Sequence, residues 1–190
     1  MMAVRGRRGR RIASAVAIFL TAIALQRACT LPWGRAAAPD GTTYELTAVG
    51  LSRLASPPGV VRSDCRWWPR YGDATLCRAA PDGAVAHARL RFAYPLLQVA
   101  LWLSVASVFL QALRVPRQRP LQVAVPLAAC ILSGGAIAVM SRGARTGLAA
   151  LADAPPALGG AGHAFAIAAV VLSALSAALL TESFSAARDA

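Results

Sequence analysis

The residues of this chain best equipped for chemistry are four cysteines, Cys29, Cys65, Cys77 and Cys130, and two histidines, His87 and His163. A membrane enzyme that forms disulfides at the expense of a quinone needs a close dithiol, usually Cys-x-x-Cys, and a second pair to pass electrons on. No Cys-x-x-Cys occurs, and residues 141–162 contain no cysteine, so the thiol count fails that chemistry. Two isolated histidines without an acidic cluster make a poor metal or haem site. No metal and no cofactor is expected. Asp40, Asp64, Asp73, Asp82 and Asp153 read as turn residues, and no pair of acids has the look of a general acid and base. Arg66, Arg70 and Arg78 are the side chains that would hold a phosphate. They carry an alternative reading, an enzyme or carrier for envelope lipids or their precursors. The main reading is a non-enzymatic protein.

The elements that would position these residues are mostly apolar. Of 190 residues, 57% are hydrophobic and 15% charged, a more apolar balance than a soluble domain of this length carries. All 20 basic residues are arginine and the formal net charge is +12. The arginines flank apolar blocks and form no single basic face, so they set orientation and meet anionic head groups rather than nucleic acid. The spacing predicts an all-α four-helix membrane bundle in one domain, with spans at about 10–30, 92–113, 121–140 and 163–181. The first block, residues 12–25, is short and follows five arginines, a layout shared with secretory signal peptides. Snorkelling by Arg10 and Arg11 and extension through residues 26–31 favour a retained helix. Pro95 and Pro126 fall near helix starts, where a missing N–H costs least. Ser133, Gly134 and Gly135 form a small-residue patch for helix packing, and the fourth block is rich in alanine and serine. Apart from Arg10 and Arg11 at one end and the marginal Arg27, the spans hold no Asp, Glu, Lys or Arg, unlike a proton or ion transporter. Arginine-rich ends place both termini in the cytoplasm.

That topology leaves residues 31–91 as an extracytoplasmic segment and 141–162 as a second outer loop. The first is too long for a passive connector. Residues 42–49 are rich in strand formers, residues 60–62 follow the turn Ser56-Pro57-Pro58-Gly59, and residues 74–78 and 84–91 are further strand candidates. A small antiparallel β-sheet resting on the helix ends is expected. Such a sheet buries little core, and a disulfide between Cys65 and Cys77 would staple it, adding roughly 3 kcal/mol. Cys29 is an alternative partner for either. Cys130 reads as a small packing residue. Trp67 and Trp68 follow Cys65. One is expected in the sheet's core and the other against a partner or head groups, as are Arg66 and Arg70. Trp33, beside Pro32 at the end of the first helix, reads as an interfacial anchor in contact with head groups or a partner.

The arrangement resembles the claudin-like tetraspan architecture of claudins, peripheral myelin protein and calcium-channel gamma subunits. Four spans with cytoplasmic ends match, as does a long, sheet-forming first outer loop. Leu31-Pro32-Trp33 is similar to the proline and tryptophan that open the family's first strand. The pair Cys65 and Cys77, and Arg89 or Arg91 before the second span, also match. The family's Gly-Leu-Trp before the first cysteine is replaced by Val61-Arg62-Ser63-Asp64, and the cysteine spacing is longer. The resemblance implies adhesion, barrier or channel-auxiliary roles. The expected function is therefore an accessory or structural subunit of a membrane complex, or a homo-oligomer. Its partners would be the lipid bilayer and other membrane proteins or further copies of itself.

Overall fold

The computed structural model describes residues 2–37, 43–54, 61–67, 70–72, 90–113, 119–149 and 157–185. Four long helices dominate: α1 (Met2–Thr30), α2 (Ala93–Leu113), α3 (Arg119–Ala149) and α4 (Ala161–Ser185). Among the described residues, five strands lie between α1 and α2: β1 (Gly34–Ala37), β2 (Thr43–Leu46), β3 (Gly50–Leu54), β4 (Val61–Trp67) and β5 (Arg70–Gly72). A sixth, β6 (Ala157–Leu158), comes from the connection between α3 and α4.

The helices close a ring in which α1 and α3 each pack against α2 and α4. Their inward faces are built from small residues. On α2 the buried positions are Ala93, Leu97, Ala100, Ser104 and Ser107, and on α4 they include Gly162, Ala166, Ala169, Ser173, Ser176, Leu180 and Ser183. On α3 they include Gln122, Pro126, Ala129, Ser133, Ala136, Met140 and Gly143. The steps alternate between three and four residues, the seven-residue repeat of a coiled-coil seam. Large apolar side chains point the other way: Phe19, Trp102, Phe109, Ile131 and Val171 are 57 to 68% exposed. A water-soluble protein does not present such a surface. In a bilayer, lipid tails cover large apolar faces while small residues let helices approach closely. Each of the four helices has a stretch long and apolar enough to cross a membrane. The chain is an integral membrane protein.

Several hydroxyls inside the bundle are paired locally. The hydroxyls of Thr21, Ser104, Ser133 and Ser173 donate to the carbonyls of Ala17, Ala100, Ala129 and Ala169, at 2.9, 2.8, 2.7 and 2.7 Å. Each bond reaches four residues back in the same helix, so a small polar side chain is buried without a partner from elsewhere.

The strands form one antiparallel sheet in the order β5-β4-β3-β2-β1-β6. A tight turn separates β2 from β3: the Thr47 N–H donates to the Gly50 carbonyl (2.8 Å), and the Gly50 N–H donates to Thr47 Oγ1 (3.2 Å). The sheet and the bundle share one core, in which Trp33, Ala36, Leu46, Ala48 and Leu51 pack with Ala28, Cys29, Leu90 and Ala93. On the opposite face Arg35 and Glu45, register partners on β1 and β2, form an ion pair at 2.8 Å.

Several boundaries differ from the expectation. α3 runs nine residues past Met140, through Arg142 and Arg145, into what reads as the second outer loop. Polar residues end the apolar span, but they do not end the helix. No proline follows until Pro155, and Gly143 leaves room for the side chain of Leu90, which would meet any Cβ placed there. The strand-forming run 42–49 breaks after Leu46, because the Thr47–Gly50 turn reverses the chain. Tyr71 and Gly72, next to the turn residue Asp73, lie in β5. Strands β3 and β6 have no counterpart among the predicted ones. The candidate strand 74–78 and nearly all of 84–91 lie outside the described residues.

Candidate functional site

The link between α1 and β1 gathers more of the fold than any other described segment. Its chemistry begins with Pro32. In a continuing helix the carbonyl of Ala28 would accept from the N–H of residue 32, and proline has none. The indole Nε1–H of Trp33 donates to that carbonyl instead, at 2.7 Å. The Trp33 backbone N–H donates to the Leu46 carbonyl on β2 at 2.7 Å, so the chain leaves α1 directly into the sheet.

The two carbonyls of this link serve the fourth helix. Trp33 accepts from the N–H groups of Gly159 and Gly160 at 3.3 and 3.0 Å, and Pro32 accepts from that of Gly162 at 2.8 Å. Gly162 stands in the first turn of α4, where N–H groups have no partner within the helix. A Cβ at Gly160 would collide with the Pro32 carbonyl, and one at Gly162 with the Leu31 carbonyl and the Trp33 ring. Glycine is therefore required at both for the backbones to meet. The His163 ring packs on Trp33 at 5.8 Å between centroids, tilted by 46°. Beside this junction β6 pairs with β1, matching Gly34 with Leu158 and Arg35 with Ala157.

Trp33 itself departs from expectation. It is 1% exposed and the largest fully buried side chain among the described residues. It cannot touch head groups or a partner. It anchors the sheet to the bundle from within, because its N–H has a buried carbonyl to satisfy and its ring fills the space left by glycine.

The other candidates fall as follows. Cys65, Arg66 and Trp67 lie on β4 and Arg70 on β5, where the described structure is the backbone alone. The register pairs Arg66 with Tyr71 and Trp67 with Arg70, so the two arginines are not directly opposite each other. Trp68, Cys77 and Arg78 lie outside the described residues, and the Cys65–Cys77 pairing with them. Cys29 and Cys130 are free thiols. Gln98 Nε2 donates to Cys29 Sγ at 3.5 Å, and Cys130 Sγ faces the Val170 carbonyl at 3.6 Å, as a small packing residue does. Of the small patch, Ser133 is fully buried in the seam. A Cβ at Gly134 would meet nothing within 4 Å, and one at Gly135 would only reach Leu96 at 4.0 Å. Close approach is made at Gly143, Gly160 and Gly162 instead.

A second polar constellation lies toward the opposite end of the bundle. Ser14 on α1 and Ser176 on α4 share a hydroxyl–hydroxyl bond of 2.8 Å, and each hydroxyl also reaches the other residue's carbonyl at 3.2 Å. Gln111 of α2 lies 3.5 Å from Ser14 Oγ, and Gln122 of α3 donates to the Leu110 carbonyl at 3.0 Å. These bonds link helices and fix their register. Among the described residues no three of His, Cys, Asp or Glu gather as metal ligands. The two carboxylates whose side chains are described, Glu45 and Glu182, are each ion-paired to arginine, with Arg35 and Arg10. Comparison with known proteins adds no relative: no protein-family model matches the chain, and no curated protein matches it in sequence.

Proposed function

We propose that this protein works without catalysis, through protein–protein contacts made by its outer sheet and helix faces. It serves as an accessory or structural subunit of a membrane complex, or as a homo-oligomer. The observation that carries this reading is the clamp at Trp33. With Pro32 it ties α1, α4 and β2 together through its indole N–H and backbone bonds, it leads directly into β1, and β6 pairs alongside. A surface held at a fixed attitude to the bilayer loses little freedom on docking, which favours contact with a partner. The claudin-like resemblance supports the same class of role, through the layout of four helices with a sheet between the first two.

The orientation rests on arginine. The start of α1, the end of α2 and the start of α3 lie at one end of the bundle, which is also where α4 ends. The positive-inside rule puts that end in the cytoplasm and the sheet outside. Cys65 and Cys77 then lie on the oxidising side, where a disulfide between them would persist. The packing of α1 supports its retention as a span: 44% of its stretch is buried, against 22% for α2.

Native mass spectrometry of the full chain, extracted in mild detergent or lipid nanodiscs, tests the reading. Copies of the chain or a stoichiometric membrane partner are expected. A strictly monomeric, partnerless species would sink it.

A further inference from the structure

We propose that the foot of α4 is a binding site for an anionic phospholipid, with the phosphate held by Arg11 and Arg119. These residues come from α1 and α3, the two helices that flank α4. Both guanidinium groups lie over one ring, that of Phe184, each 5.8 Å from its centroid. Arg10 stands beside them, and it is satisfied by Glu182 at 3.2 Å. Arg11 and Arg119 have no carboxylate partner among the described residues. Two cations thus approach one aromatic ring with no carboxylate to neutralise them, and an anion held near both lowers their repulsion.

The anion is a lipid head group rather than a soluble phosphate for two reasons. The first is depth. Arg119 begins one apolar span, and Arg11 lies in the first turn of another that starts at Gly9. Both side chains therefore sit where phosphates line the bilayer. The second is the apolar surface next to the charge. Ile12 and Leu121 are 57% and 50% exposed, and they offer acyl chains a place beside the head group. A guanidinium fork matches phosphate oxygens in pairs, which a lone ammonium cannot do. The site needs no particular partner protein and stands apart from the proposed function.

The full-length protein in phosphatidylcholine nanodiscs provides the test. Phosphatidylglycerol is titrated in, and retained lipid is read by native mass spectrometry alongside the thermal midpoint. Phosphatidylglycerol is expected to remain bound and to raise the midpoint, and phosphatidylcholine is not. The pair Arg11→Gln/Arg119→Gln should weaken retention about tenfold or more. Arg27→Gln, at the opposite end of α1, should leave it unchanged. Full retention by the double variant overturns the site, and so does an equal loss in Arg27→Gln, which would mean bulk charge attraction. Stabilisation by inorganic phosphate matching that by phosphatidylglycerol overturns the lipid assignment. If the glutamine pair does not fold, Arg11→Lys/Arg119→Lys keeps the charge and removes the fork. Weakened retention then supports the site, and retention at the wild-type level overturns it.

Discussion

The two ends of the helical bundle are held together by opposite means. At the sheet end, one large side chain and a few backbone groups carry the junction: Trp33, the carbonyls of Ala28 and Pro32, and the N–H groups of Gly160 and Gly162. Deeper in the bundle the contacts are small and repeated, with alanine, serine and glycine meeting along a seven-residue period. The first arrangement concentrates its energy in positions with no substitute. The second spreads it over many equivalent positions, so that the loss of one is shared. This contrast also separates the tasks. The repeated seam builds a membrane bundle, and the singular junction ties that bundle to its sheet.

The sharpest way to break the contrast is Trp33→Ala. Removing a fully buried aromatic costs about 3–5 kcal/mol. The loss should appear in denaturant unfolding and as faster amide exchange in β1 and β2. Exchange in the middle of α2 and α3 should change much less. Uniform loosening of all four helices would show that the two ends are one cooperative unit. Gly162→Val comes next, at about 1–3 kcal/mol for overpacking, because the obstructing Leu31 carbonyl is backbone and yields little. Its expected signature is loss of the Trp33 near-ultraviolet circular-dichroism signal with helix content intact. A variant as stable as the parent would mean that the close approach is dispensable.

The smallest effects sharpen the seam itself. Ser176→Ala removes a bond between helices and should cost about 0.6 kcal/mol, the average for such bonds inside a membrane. Ser173→Ala removes only bonds to its own helix, to the Ala169 and Val170 carbonyls. It should stay within about 0.5 kcal/mol of the parent. Unfolding midpoints of the two variants, measured side by side, check the order. The reverse order would place the helix-linking role at Ser173.

Much of the fold was legible in the residues. The four apolar blocks became four helices, and the turn-rich stretch between the first two became a sheet. The ends were harder to place, since Arg142 and Arg145 mark the edge of the apolar region but are good helix formers. Helix faces were harder still. Both sides of each span are apolar, so polarity does not separate lipid from neighbour. Size does, in steps of three and four. Ser133, Gly134 and Gly135 look like a groove because they are consecutive, yet successive residues turn by about 100° around a helix. Only Ser133 belongs to the seam with Ala129 and Ala136. The junction glycines, Gly159, Gly160 and Gly162, stand just before and beside His163 in the chain. Their purpose depended on a chain segment more than a hundred residues away in sequence.

The sequence alone determined how many times this chain crosses a membrane and roughly where. Satisfying a backbone in lipid and keeping charge out of it are costs summed over neighbouring residues. The tertiary structure alone decided that Trp33 turns inward, that β6 joins the sheet beside β1, and that Arg11 and Arg119 both reach the Phe184 ring. Those outcomes depend on which distant groups are brought within reach of one another. Pro32 leaves a carbonyl without a donor, and only the folded chain supplies one.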